Sequence, residues 1–230
     1  MVLVAVLLVA GFATLTWSVL AGVAAGLDRP VHERFHGLRE EPLTTGAVVI
    51  THAGGSAVMW VLAIVACGWL LRRGRRADAA LVAGVGAASA LLVPVTKNVI
   101  GRDRPPMADR LVTVDSPAFP SGHSTGVAAV VGVLAALCFL RLRHRVAAWT
   151  TVVLAAVFVA LVGLTRVYLG VHWPTDVLAG WSLGGLLVVL GVLVHRRMGR
   201  AAPPDGQSGH PADATGSRAF AGSVAGAPPG

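Results

Sequence analysis

Six apolar stretches, each long enough to cross a lipid bilayer, constrain this chain more than any other feature. They run roughly 2–26, 45–71, 79–96, 121–140, 146–165 and 175–194. A helix needs about 20 apolar residues to span the hydrocarbon core. With no water to satisfy N–H and C=O groups there, the backbone must bond to itself. The runs are continuous rather than alternating, so helices are expected and a barrel is not. The fold class is therefore all-α, a six-transmembrane-helix bundle with short loops. The first stretch lacks a basic leader and exceeds a simple signal core, so it is read as a retained span. Abundant Gly and Ala suit close helix–helix contact.

The short loops set an orientation. Arg72-Arg73-Gly74-Arg75-Arg76, Arg141-Leu142-Arg143-His144-Arg145 and Arg196-Arg197-Met198-Gly199-Arg200 follow the second, fourth and sixth stretches. Alternating spans put all three on one side, which the positive-inside rule makes cytoplasmic. Both termini then lie in the cytoplasm. The loops at 27–44, 97–120 and 166–174 face the other side, with mixed charges such as Asp28, Arg29, Glu33, Arg34, Arg39, Glu40 and Glu41. Residues 1–200 form the membrane domain. Residues 201–230, rich in Gly, Pro, Ala and Ser, are expected to be a disordered cytoplasmic tail.

The net charge is +8, but the basic residues sit in loops between apolar runs, which argues against nucleic-acid binding. Cys67 and Cys138 both lie inside apolar stretches and show no metal-ligand spacing, so neither a disulfide framework nor a zinc site is expected.

Three polar clusters fall on the non-cytoplasmic side. The first runs from Lys97 to Arg104-Pro105. Pro94 is expected to loosen the helix end before it. Lys97 and Arg104, seven residues apart, are about two helical turns apart and can face one point. The planar fork of Arg suits phosphate oxygens. The second cluster is Pro120-Ser121-Gly122-His123 at the start of the fourth stretch. Ser121 is a good helix N-cap. The free N–H groups and positive dipole end of a helix start attract an anion. Gly122 allows close approach, and His123 lies in the first turn. The third cluster spans Thr165-Arg166 to His172-Trp173-Pro174-Thr175-Asp176. Pro174 suits the first helical position. His172 and Asp176 are four apart, so the carboxylate can fix one imidazole nitrogen and expose the other as a nucleophile.

Three cations, a helix start, two histidines and an orienting carboxylate form a set suited to phosphoryl transfer through a phosphohistidine. These residues resemble the type 2 phosphatidic acid phosphatase (lipid phosphate phosphatase) superfamily. Its signatures are a Lys separated by six residues from Arg-Pro, a Pro-Ser-Gly-His, and a Ser-Arg with a His and an Asp beyond. Thr165 stands where the family usually has Ser, and it keeps a hydroxyl.

The resemblance implies that Lys97, Arg104 and Arg166 clamp the phosphate, aided by N–H groups near Ser121 and Gly122. His172 is the implied nucleophile held by Asp176, and His123 the proton donor and later the base. Fixed cations would meet the developing charge, so neither a metal nor another cofactor is expected. The implied partners are the bilayer and a membrane lipid phosphate, with undecaprenyl diphosphate or phosphatidic acid as first guesses. Two rivals use the same residues: a lipid phosphotransferase, and a transporter or scramblase that only binds the phosphate. Transporters often contain repeats or broken helices, and neither is visible in the sequence. The fold is also shared by vanadate-dependent haloperoxidases, which are soluble.

His32 and His36 have a spacing that can bind metal, but the charges around them favour an amphipathic interfacial segment over the mouth of the site. For His52, simple packing is expected.

Overall fold

The computed structural model describes residues 1–201, so the tail expected from 201 onward lies, beyond that first residue, outside the described part. Among the described residues there are eight α-helices, one 3-10 turn and no strand. The helices are α1 (Val2–Leu20), α2 (Ala25–His36), α3 (Glu41–Ala53), α4 (Ser56–Arg72), α5 (Arg76–Ile100), α6 (Gly122–Arg141), α7 (Arg145–Tyr168) and α8 (Pro174–Ala201). The 3-10 turn is Met107–Asp109. Helices α1, α5, α6, α7 and α8 are each long and apolar enough to span a bilayer, and α3 with α4, taken together as one bent element, is apolar and long enough to be a sixth.

Three expectations about these elements need correction. The first span stops at Leu20, where a left-handed Gly22 turns the chain, and α2 follows as a separate short helix. The second stretch is two helices bent by 41° rather than one rod. The bend falls at Gly54-Gly55, where α3–α4 crosses α7. A β-carbon on Gly54 would lie 2.5 Å from Val162 Cγ1, so only hydrogen fits there. Finally, the third stretch does not stop near 96: α5 runs through Pro94 to Ile100 and stops at Gly101, whose φ of +62° favours glycine.

Helix α6 is the centre of the bundle, packed against α4, α5, α7 and α8. Gly180 and Gly184 let α8 approach α6 closely: a β-carbon on either would fall within 3 Å of the α6 backbone, at Ser121 O and Thr125 O respectively. Val82, Val127, Val133 and Val162 fill the interior between α5, α6 and α7. Outward, the chain exposes a belt of large apolar side chains, including Leu3, Leu7, Val61, Ile64, Leu91, Val153 and Leu154. Such a belt is stable against lipid and not against water. Helix α1 buries none of its residues and rests on α8.

Candidate active site

The C-terminal ends of α5 and α7 and the N-terminal ends of α6 and α8 meet at one end of the bundle, together with α2 and the 101–121 loop. All three polar clusters are carried there.

At the start of α8 the Asp176 carboxylate, in the first turn, reaches back to accept the Trp173 N–H through Oδ2 at 2.8 Å, one half of a capping box. That bond holds Asp176 beside His172, with Nδ1 and Oδ2 3.4 Å apart. Asp176 is fully buried and His172 nearly so. With the proton on Nδ1 facing the carboxylate, Nε2 carries the lone pair. Arg104 Nη1 lies 3.2 Å from Nε2.

Arg104 is held by backbone carbonyls. Its Nε donates to Ser116 O at 2.6 Å and its Nη2 to Pro117 O at 3.3 Å, while Nη1 also donates to Val171 O. Lys97 Nζ donates to Pro117 O as well. The two cations therefore converge, but not as residues two turns apart on one helix. The chain reverses at Gly101, Arg104 is on an extended loop, and the segment 116–117 folds back between them.

Arg166, 4% exposed, donates from Nη1 to Thr51 Oγ1 at 2.7 Å. Its Nε is buried without a partner among the described residues. Thr51 comes from α3, just before the bend. The Thr165 hydroxyl donates to Val162 O at 2.7 Å within its own helix. The serine usual in the family could make the same bond.

Ser121 caps α6 as expected, accepting the Ser124 N–H at 3.4 Å and the Ser124 hydroxyl at 3.0 Å. Its own N–H is already committed to Asp176 O at 3.0 Å. The open N–H groups at this helix start are those of Gly122 and His123, which have no intrahelical acceptor. The half-buried His123 ring lies beside Gly55 at the bend, its Nε2 3.8 Å from where a β-carbon on Gly55 would sit. It is within electrostatic reach of Arg166, His172 and Arg104.

Burial, followed by the charges of Arg104, Arg166 and Lys97, holds the His172 imidazole well below its ordinary pKa. The ring is therefore neutral near pH 7. Burial also lowers the Arg104 guanidinium, with the Asp176 charge opposing that shift.

Several residues around the site had no signal of their own in the sequence. Thr51 holds Arg166. Arg102 and Asp28 join Asp176 in a buried ion cluster. Trp173 donates its Nε1–H to Asp103 O at 2.9 Å and lies under Arg102 and against His32. His32 and His36 do fall on one helix, α2, and both face Asp109, at 3.3 and 3.7 Å. His52 is exposed and donates to Val48 O in its own helix at 2.7 Å.

A bundle of membrane-spanning helices with a buried His–Asp pair among clustered cations is the architecture of an integral-membrane phosphatase. The sequence model of the PAP2 superfamily matches residues 78–200. Phosphatidylglycerophosphatase B of Bacillus subtilis is 39% identical over 145 residues, covering 61% of this chain and 70% of that protein. Decaprenylphosphoryl-5-phosphoribose phosphatase of Mycolicibacterium smegmatis is 37% identical over 140 residues, covering 59% and 70%. The crystal structure of a transmembrane PAP2-type phosphatidylglycerolphosphate phosphatase from Bacillus subtilis superposes with a TM-score of 0.78 at 32% identity, covering 86% of this chain and 98% of that one. This chain belongs to the PAP2 superfamily and is a phosphoric ester hydrolase of the membrane.

Proposed function

We propose that this protein removes the terminal phosphate of a membrane lipid through a phosphohistidine on His172. One observation carries the reading. The Nε2 of His172, oriented from behind by Asp176, faces the guanidinium of Arg104, with Lys97 converging on the same backbone carbonyl.

Lys97, Arg104 and Arg166 then bind the non-bridging oxygens, and the open N–H groups of Gly122 and His123 complete the cradle. His172 Nε2 attacks phosphorus, and the bond to the lipid oxygen breaks. His123 gives that oxygen its proton. Water next attacks phosphohistidine, losing its proton to His123, and inorganic phosphate leaves. The cations are fixed before reaction, so charge on the equatorial oxygens meets preorganised donors.

A lipid substrate is supported by an apolar groove of ≈ 240 Å³ between α4, α5 and α6, lined by Trp60, Ala63, Gly86, Ser89 and Gly126. It reaches Gly122 at the helix start, so a chain in the bilayer and a phosphate at the cradle can belong to one molecule. The named relatives hydrolyse one glycerolipid phosphate and one polyprenyl-linked phosphate. Phosphatidylglycerophosphate is accordingly the first substrate to try, followed by undecaprenyl diphosphate and phosphatidic acid. The opposite end of the bundle carries the Arg72–Arg76, Arg141–Arg145 and Arg196–Arg197 clusters. This supports cytoplasmic termini and a site on the non-cytoplasmic side.

The test is phosphate release from that lipid panel in detergent, with and without EDTA, followed by acid-labile phosphate trapping on rapid quench. Turnover in EDTA with label on His172 is expected. Binding of lipid phosphate without release would point to a carrier, and phosphate appearing on an added lipid alcohol to a phosphotransferase.

A further inference from the structure

Asp28 lies on α2, a short helix that is not among the candidate spans, yet it is 1% exposed. A carboxylate in that position must be compensated on every side. Its Oδ1 accepts the Thr175 N–H at 3.0 Å, and its Oδ2 accepts the Thr175 hydroxyl at 2.7 Å. Oδ2 also accepts from Arg102 Nη2 at 2.5 Å. Asp28 thus caps α8 from a different helix, one residue before Asp176.

The same guanidinium continues to the reacting pair. Arg102 Nη1 donates to Asp176 Oδ1 at 2.5 Å and to Thr175 Oγ1 at 2.7 Å. Asp176 therefore divides its two oxygens. Oδ1 is taken by Arg102, and Oδ2 is left for the Trp173 N–H and His172 Nδ1. A carboxylate held through one oxygen can swing about its χ2 torsion. Held through both, it presents Oδ2 to the imidazole in one orientation. Arg102 can bridge in this way because its planar fork is itself gripped at the far nitrogen by Asp28. The Trp173 ring, 5.9 Å from the guanidinium carbon, covers one face.

We infer that Asp28 and Arg102 are positioning residues for the phosphoryl-transfer step: α2, through Asp28, locks the Arg102 fork that aims Asp176, and hence His172, at phosphorus. Neither side chain needs to touch the substrate. Arg102 spends its charge on two carboxylates, whereas Lys97, Arg104 and Arg166 bond to neutral carbonyls or a hydroxyl and keep theirs for an anion. The sequence separation is large: residue 28 reaches residue 102 and residue 176. Helix α2 is in this way part of the catalytic apparatus and not only a lid resting on it.

This inference rests on His172 being the nucleophile, and the experiment separates the two. In purified full-length protein, Asp28→Asn keeps the shape and removes the charge that holds Arg102. Turnover should fall about tenfold to a hundredfold, the cost of a small misplacement of a reacting group, with KM within about twofold. Orthovanadate, which must take a fifth ligand from His172 to mimic the transition state, should bind more weakly by a similar factor. Inorganic phosphate, held by the untouched clamp, should bind as in wild type. Arg102→Lys, which keeps the charge but not the bridging fork, should behave the same way. Wild-type turnover in folded Asp28→Asn protein would overturn the inference. So would equal losses of vanadate and phosphate affinity, or failure of both variants to fold, since the pair would then be only structural. If His172→Ala itself keeps turnover, the nucleophile reading fails instead.

Discussion

Each end of the bundle is built around a buried carboxylate in the first turn of a helix, yet the two ends do different things. At one end Asp176 opens α8. At the other Asp78 opens α5, receiving Arg75 Nε at 2.7 Å, Arg141 Nη2 at 2.9 and 3.1 Å and His195 Nε2 at 3.0 Å. Both carboxylates bond to Arg and His, so composition alone does not separate them. The surplus does. Around Asp78 the two arginines reach water, the Arg141 side chain being 54% exposed and that of Arg75 30%. Around Asp176 the additional cations Lys97 and Arg166 are buried, and Arg166 Nε has no partner among the described residues. A carboxylate whose donors are all accounted for ties α5, α6 and α8 together. Buried donors in excess of acceptors leave room for an anion, and phosphate fits that deficit.

The largest test of this contrast is His172→Ala. Turnover should fall by about 10⁴-fold or more while the detergent-solubilised protein keeps its thermal unfolding profile. Unchanged phosphate release would remove the reactive character assigned to this end. Next comes Arg166→Ala, which deletes one preorganised donor. We expect kcat/KM to drop about a hundredfold, with weaker inhibition by inorganic phosphate.

At the opposite end, Asp78→Ala should reverse the pattern. Loss of charge-assisted bonds to donors that can turn to water costs about 1.5–3 kcal/mol, read as a lower unfolding temperature. Activity per folded molecule should stay as in wild type. Lost turnover with intact stability would mean that the two ends are coupled in a way their bonding does not indicate.

The smallest effect concerns pH. On the proposed mechanism His172 attacks as the neutral imidazole, and its pKa is held well below the usual value. The acid limb of kcat/KM should therefore lie below pH 6.5, the ordinary imidazole range being about 6.5. The same shift bears on stability with a definite sign. As pH falls through about 6.5, the unfolded chain takes up a proton that the folded one refuses, so stability declines on acidification. An acid limb at or above 6.5 would show that the ring is less buried or less surrounded by cations than the geometry requires.

Much of the site was legible because its parts are local. Ser121 as a cap, Pro174 at the start of α8 and the four-residue step from His172 to Asp176 are short-range facts that hold in any helix. The supporting residues were not legible for the converse reason. Thr51 lies 115 residues from Arg166, and Asp28 lies 74 from Arg102 and 147 from Thr175. Nothing in a threonine or an aspartate within a mixed-charge loop announces such a partner. The bend at Gly54-Gly55 was hidden as well. The apolar stretch resumes on both sides of it, and the side chain that leaves no room for a β-carbon at Gly54, Val162, comes from another helix.

By itself the sequence determined the membrane helices, their order and the residue types at one end of the bundle, because lipid admits only internally bonded backbone and because caps and i,i+4 pairs act over a single turn. Only the tertiary structure decided which buried cations are spent on carboxylates and which bond to neutral groups alone. That choice depends on side chains far apart in the chain meeting where water cannot compensate them.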